Sequence, residues 1–489
     1  MARSIQAKQS PPSDRSAQKW LLRGGHVIDP ANGRDAVLDI LLADGVVAAV
    51  GEDVTRDGGP VQVLDLDGLL VLPGLVDMHV HLREPGQERK ETIATGARAA
   101  LAGGFTSLAC MPNTEPALDD ATGIRYVREQ AARAGAARVY PIGAISKGRR
   151  GEELAAIGEM VAAGAVAVSD DGSPVQDSAL MRHALEYCRR WDIPVIEHAE
   201  DAQLAVGGVM NEGLVSTRLG LRGIPVEGEV SQVFRDCLLA QLTRGRLHIA
   251  HVSAAGSVAV LRWARQQGIR VTAEVTPHHL LLTEVEVSRS RYDANTKVNP
   301  PLRSEADRQE VWRALHEGII DCIASDHAPH MAEEKNVEFD LAPFGVVGLE
   351  TTLGLVATHL VGPSLGAGER AGAQRLGAGV EPRQMGVESE ALGTAQLPSF
   401  TWAQVVERLA VQPARILRLP GGAGTLSAGA AADVIVVDPR AEWTVKPEEF
   451  YSRGKNTPFA GWPLRGRVEY AWVGGELRFA RERGGFLES

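Results

Sequence analysis

The chain has 489 residues, with Lys+Arg 51 against Asp+Glu 62 and a formal net charge of -11, a balance that argues against a bulk nucleic-acid binder. Hydrophobic residues make up 44% and charged residues 23%, the mix of a globular protein with a buried core, and the length suits one large domain plus a smaller one. Cys110, Cys188, Cys237 and Cys322 form no CxxC pair, which excludes a disulfide scaffold by count and a thiolate zinc finger by spacing.

Residues 1–18 are polar around Ser10-Pro11-Pro12-Ser13. They lack the apolar stretch of a signal peptide and are expected to be a disordered tail. No apolar run reaches 18 residues, so no membrane partner is expected. Isolated cysteines suit a reducing compartment, and a cytoplasmic location is expected.

Over 19–72 short apolar runs such as His26-Val27-Ile28 and Val46-Val47-Ala48-Ala49-Val50 are cut by turn residues. Asp44-Gly45 between two such runs predicts a hairpin. This is the first part of a β-sheet domain. From Pro73 short apolar strands alternate with helical stretches. Eight strands are predicted: Pro73–Leu82, Phe105–Pro112, Arg138–Ala144, Ala165–Asp170, Pro194–His198, Leu247–Val252, Arg270–Val275 and Ile319–Ser325. Thr92–Ala102, Ala179–Trp191 and Ser257–Gln267 read as helices by their apolar period. The fold class is therefore α/β, a (β/α)8 TIM-type barrel over 73–424; a doubly wound open sheet would not need eight strands. Within it, 362–399 is rich in Gly, Ala, Glu and Pro and reads as a flexible insertion. After Gly424 the β texture returns, and 425–489 is expected to complete one small sheet domain built from both chain ends.

Chemistry gathers where the predicted strands end. His79 and His81 are two apart, so on a strand both side chains share one face. Further ligand-type residues follow in Asp170-Asp171-Gly172, Glu197-His198, His248-Ile249-Ala250-His251 and Asp326-His327-Ala328-Pro329-His330. Thirteen scattered histidines would not fall by chance at one end of several strands. Four His and two Asp suffice for two metals sharing a carboxylate. Alternation sends Asp170 and Asp171 to opposite faces, so only one of them can bridge. His248 has the parity opposite to His251 and is expected to pack outward. His183 and His316 are expected on helix surfaces.

The run Pro73-Gly74-Leu75-Val76-Asp77-Met78-His79-Val80-His81-Leu82-Arg83-Glu84-Pro85-Gly86 resembles the amidohydrolase superfamily, and more narrowly the dihydroorotases of the bacterial class I type. Met111-Pro112-Asn113-Thr114, Asn299-Pro300-Pro301-Leu302-Arg303, Ser325 to His330, Ala342-Pro343-Phe344-Gly345 and Gly348-Leu349-Glu350-Thr351 match in the same order. The resemblance spans Trp20 to Gly475 apart from 362–399.

It implies two Zn2+ per chain. His79, His81 and Asp326 would hold the first, His198 and His251 the second, and Asp171 would bridge, with Asp170 the residue it could be confused with. Asp326 would also be the catalytic proton carrier. The substrate, carbamoyl aspartate or dihydroorotate, would be met by His81, Arg83, Asn113, Asn299, His330, Phe344 and Gly345, with the Arg83 fork on a carboxylate. His278 and His279 are expected to be structural. The resemblance further implies a homodimer and admits a complex with aspartate transcarbamoylase. Two alternatives stand beside it: a hydantoinase- or allantoinase-like cyclic amidohydrolase, or a non-catalytic scaffold for aspartate transcarbamoylase. Hydantoinases and allantoinases tend to lack Arg83 and His330, and scaffolds have lost metal ligands.

Overall fold

The computed structural model describes residues 19–54, 61–362 and 397–487. The expected disordered tail 1–18 and nearly all of the expected insertion 362–399 lie outside the described residues.

Strand β1 (Lys19–Asp29) pairs antiparallel with β2 (Arg34–Ala43), which turns into β3 (Val46–Gly51). Asp44 and Gly45 at that turn have φ of 52° and 79°, the left-handed pair that matches the twist of a two-residue hairpin. β4 (Val61–Asp65) and β5 (Leu70–Pro73) run parallel to β1. The chain then enters the barrel through Gly74, where any Cβ would collide with Thr106.

The barrel strands are β6 (Leu75–Val80), β7 (Phe105–Cys110), β8 (Arg138–Pro141), β9 (Val168–Ser169) and β10 (Pro194–Glu197). After a side pair, β11 (Met210–Asn211) with β12 (Gly223–Ile224), come β13 (Arg246–Ile249), β14 (Val271–Val275) and β15 (Cys322–Ile323). Parallel ladders join β6–β7–β8 and β9–β10–β13–β14–β15, and single parallel bridges Gly143–Val168 and Val80–His327 close the ring. All eight predicted strands are present, but most end earlier. Ile319–Ser325 narrows to Cys322–Ile323. The last residues leave the ladder because their N–H groups are taken by side chains: Ser325 N by Asp77, Asp171 N by the Ser169 hydroxyl.

Met78, Ala109, Met111, Ile142, Ala167, Ile196, Ala250, Cys322 and Ala324 pack inside the ring with Ile416 and Leu417 from the late helix Gln412–Leu417. The barrel is thus a packed core, which leaves its mouth for a ligand site. The predicted helices lie outside it as Ile93–Ala102, Ser178–Cys188 and Ala255–Gln266. Thr92 and Asp177 cap the first two by accepting from backbone N–H groups of the first turn. All four cysteines are buried and unbonded.

β16 (Val434–Thr444), β17 (Pro463–Val473), β18 (Glu476–Ala480) and β19 (Gly485–Phe486) return to the first sheet. β16 pairs antiparallel with β5, giving the order β19-β18-β17-β16-β5-β1-β2-β3 with β4 beside β1. Trp20, Leu22, Ile40, Leu42, Val434, Val436 and Trp472 form its core. Arg138 of β8 ties barrel to sheet, donating to Asp433 through Nε at 2.8 Å and Nη2 at 3.1 Å. Among the described residues no helix is long and apolar enough to cross a membrane.

Candidate metal centre

His79 and His81 leave the end of β6 on one face, and Asp171, His198, His251 and Asp326 follow β9, β10, β13 and β15. All six are buried, and they meet. Asp171 Oδ1 lies 3.4 Å from His79 Nε2, 3.7 Å from His198 Nδ1 and 3.6 Å from His251 Nε2, while its Oδ2 is 3.6 Å from His81 Nε2. Asp326 Oδ1 lies 3.0 Å from His81 Nε2 and 3.6 Å from His79 Nε2. Around an ion with bonds of ~2.0–2.1 Å, tetrahedral ligands sit about 3.3 Å apart, so these spacings are those of a coordination shell. Two groups arise, His79–His81–Asp171 and Asp171–His198–His251, with Asp171 common to both. His79 Nε2 and Asp171 Oδ1 are buried without any hydrogen-bond partner. Buried polar atoms are normally satisfied, so these donors fit a cation. Asp170 is turned away, accepting from Ile145 N, Ser146 N and the Ser146 hydroxyl.

Burial pushes Asp171 up, but His79, His198 and His251 outweigh it and hold the carboxyl well below the usual range. Asp326 is lowered in the same way by His79 and His81. Burial works against a charged His79, yet Glu274 and Asp171 raise it well above the ordinary imidazole value. His198 is raised by Asp171 against the same penalty, whereas His81 is lowered by burial and by Arg83. Carboxylates kept ionised beside imidazoles are what a divalent cation requires.

The backbone is strained here. Arg83, His251 and Asp326 have φ of 62°, 32° and 47°, positions that cost roughly 1–3 kcal/mol each in residues other than glycine. Arg83 is buried, with Nε donating to Pro329 O at 3.2 Å, and burial lowers its pKa to about 10, so it stays cationic. Asn113 Oδ1 lies 2.8 Å from His81 Nδ1, and its Nδ2 is 3.5 Å from Asp171 Oδ2. The Asn299 amide meets His198 Nε2 at 3.3 Å. His330 Nε2 lies 2.8 Å from Phe344 O, and burial with Arg83 nearby pushes its imidazole down to about 2. Gly345 is held between Lys297 O, which accepts from its N–H, and Asn456 Nδ2, which donates to its carbonyl. At its φ of 119° a Cβ would strike Ala328 Cβ at 2.7 Å.

Several polar residues had no place in the sequence reading. Asp77 accepts from His79 N and Ser325 N, tying the first strand end to the last. Glu91 lies 3.3 Å from His327 Nε2 and accepts from Ser452 Oγ, which fixes the residue after Asp326. Arg149 donates to Asp171 O. Glu274, two residues before Thr276-Pro277-His278-His279, lies 2.6 Å from His79 Nδ1. No local signal in the sequence marked it. His248 does not pack outward: it is fully buried, 3.2 Å from Glu274 Oε2 on the barrel interior. The early end of β13 explains this, because His251 leaves the ladder in a left-handed conformation and breaks the parity count. His279 contacts Thr276 Oγ1 and Pro300 O, a structural role, while His278 Nε2 is buried without a partner. His183 is exposed and His316 half-buried against Phe400.

Residues 68–257 match the model of a family described as dihydro-orotase-like. A dihydroorotase of Anaeromyxobacter dehalogenans strain 2CP-1 is 50% identical over 456 residues, covering 93% of this chain and 96% of its own. One from Pelotomaculum thermopropionicum is 50% identical over 459 residues, 94% of this chain and 98% of its own. Among solved structures, an L-hydantoinase (dihydropyrimidinase) from Arthrobacter aurescens superposes with a TM-score of 0.76 at 22% identity, covering 94% of this chain and 95% of its own. A dihydropyrimidinase from Brevibacillus agri gives 0.73 at 21% identity over 95% of each chain. At that identity the likeness is one of fold.

Proposed function

The chain belongs to the dihydroorotase family, and on that premise we propose a working for its site. It is a hydrolase of cyclic amides that interconverts N-carbamoyl-L-aspartate with (S)-dihydroorotate and water, a step of pyrimidine biosynthesis. His79, His81 and Asp326 would hold one ion, His198 and His251 another, with Asp171 between them; nitrogen and carboxylate donors suit zinc. Zinc bound there would lower the pKa of water and polarise the amide carbonyl.

The protein's own groups do the rest. Asp326, kept ionised, accepts the proton of the attacking water and passes it to the leaving ring nitrogen. In the biosynthetic direction it takes the proton of the ureido nitrogen, which attacks the side-chain carboxyl while water leaves. Arg83 grips the remaining carboxylate through its planar fork. Asn113 and Asn299 lie against His81 and His198, where each can offer an amide group to the same substrate. His330, neutral, orients the loop of Phe344 and Gly345 over the ring.

Near-full-length identity to dihydroorotases carries this reading. It favours a dihydroorotase over a hydantoinase, a class matched here in fold alone, and the full ligand set favours catalysis over scaffolding. Purified protein with carbamoyl aspartate and, separately, with hydantoin tests it by ring absorbance. Ring formation from carbamoyl aspartate is expected, increasing toward acid because cyclisation consumes a carboxylate and takes up a proton. Turnover of hydantoin alone would overturn it. A homodimer in the cytoplasm, open to aspartate transcarbamoylase, completes the proposal. Phe234, Leu238 and Leu242 form an exposed apolar ridge on the helix Val226–Thr243 that suits such pairing, and sedimentation velocity of the full chain tests it.

A further inference from the structure

His79 turns Nε2 to the ligand cluster, so a cation bound there leaves its proton on Nδ1. That nitrogen lies 2.6 Å from Oε1 of Glu274, a fully buried carboxylate on β14. The other carboxylate oxygen is 3.2 Å from Nε2 of His248, and Nδ1 of His248 is 2.8 Å from Oγ1 of Thr272. His248 and Thr272 are in register across β13 and β14, and Thr272 and Glu274 share a face of β14 by alternation. A consistent arrangement of protons satisfies every group. The Thr272 hydroxyl donates to His248 Nδ1, His248 Nε2–H donates to Glu274, and His79 Nδ1–H donates to Glu274. Cys322 lies close enough to complete a His–Glu–Cys group. An ion there would have to displace the proton of His248 Nε2 and that of the Cys322 thiol, whose pKa burial pushes well above its ordinary value.

We propose that Glu274 is a positioning residue for metal loading, and that His248 and Thr272 anchor it. The carboxylate fixes the plane of the His79 ring and accepts from Nδ1–H, so that Nε2 is the nitrogen facing the cation site. It also sets one negative charge beneath the cation site. Such outer partners orient a ligating histidine and raise its basicity, and their loss typically weakens metal binding by ~10–100-fold. The inference rests on the metal reading of the cluster and goes beyond it, since the family resemblance assigns Glu274 nothing.

The test is a titration of the metal-free full chain with Zn2+ against a chromophoric chelator, and with Co2+ followed by its visible absorption. Glu274→Gln keeps shape and hydrogen-bonding capacity but removes the charge. One of the two binding events is expected to weaken by ~10–100-fold, with a changed Co2+ spectrum. kcat should recover in part as metal is added, and KM should hold, because Arg83, Asn113 and Asn299 are untouched. Glu274→Asp, which restores the charge on a shorter arm, should recover part of the affinity. Wild-type affinity and spectrum in Glu274→Gln would overturn the proposal, as would a lowered melting temperature of the metal-free protein with unchanged metal binding. Should that variant fail to fold, His248→Gln is read in the same titration. Weakened binding supports the anchor, and unchanged binding overturns it. Because the readout is metal uptake, it stands even if carbamoyl aspartate is not turned over.

Discussion

At the barrel mouth, the fully or nearly fully buried positions are taken by His79, His81, Asp171, His198, His251 and Asp326. In the terminal sheet the same depth is filled by Trp20, Leu22, Ile40, Leu42, Val436 and Trp472, with the two tryptophan rings edge to face at 5.6 Å. Each apolar side chain in the sheet gains roughly 25 cal/mol per Å² removed from water. Each titratable group at the mouth is desolvated at a cost and, without a cation, leaves atoms such as His79 Nε2 unsatisfied. His251 and Asp326, with Arg83 beside them, add left-handed strain. The sheet therefore stabilises the chain, and the mouth draws on that stability to hold a site ready for ligands.

The sharpest way to break this contrast is Asp326→Asn. It should lower kcat by ~10²–10⁴-fold in both directions, as for lost general acid–base catalysis. Metal content must be measured alongside. A variant that keeps its metal and its full rate would move the proton role to another group.

Trp472→Ala should show the opposite signature. A large void in the sheet core costs about 3–5 kcal/mol, visible in the urea midpoint, while the folded fraction keeps its kcat. A lost kcat with unchanged stability would mean that the two regions are not separable.

Glu350 sits at the joint between them, accepting from Tyr451 N and Ser452 N on the segment after β16. Burial pushes its carboxyl up to about 7. The native state thus holds a proton that the unfolded chain has released, and stability falls as pH rises from the ordinary carboxylate range to about 7. Glu350→Gln should remove that slope, gaining up to roughly 3 kcal/mol above neutrality and little at pH 4. Equal pH dependence in variant and wild type would show that the group titrates normally.

Arg83→Lys retains charge but not the fork. KM for carbamoyl aspartate should rise about 10–100-fold, the ~1.5–3 kcal/mol of a charged hydrogen bond, with metal content near wild type. An unchanged KM would remove Arg83 from the carboxylate. The smallest effect belongs to Arg138→Ala. Its pair with Asp433 joins barrel to sheet but is partly exposed, so about 0.5–1 kcal/mol is expected, shrinking with salt.

Much of this architecture was legible because its signals are local. The Asp44-Gly45 hairpin and the eight alternating apolar runs each follow from residues within a few positions of one another. The His79–His81 face follows from strand alternation alone. The sequence also carried the resemblance that named a ligand set and two zinc ions.

Other features depended on groups far apart in the chain. Glu274 meets His79 across 195 residues, and no local period marks a carboxylate that serves a distant histidine. Whether Asp170 or Asp171 enters the cluster turned on β9, a strand of two residues, and on Ser146 capturing Asp170. His248 was misplaced because parity was counted through His251, where the strand had already ended. Local chemistry wrote the strands, turns and ligand types; the closing of the barrel decided which side chains share one buried volume, because only there do desolvation and charge pairing select among partners.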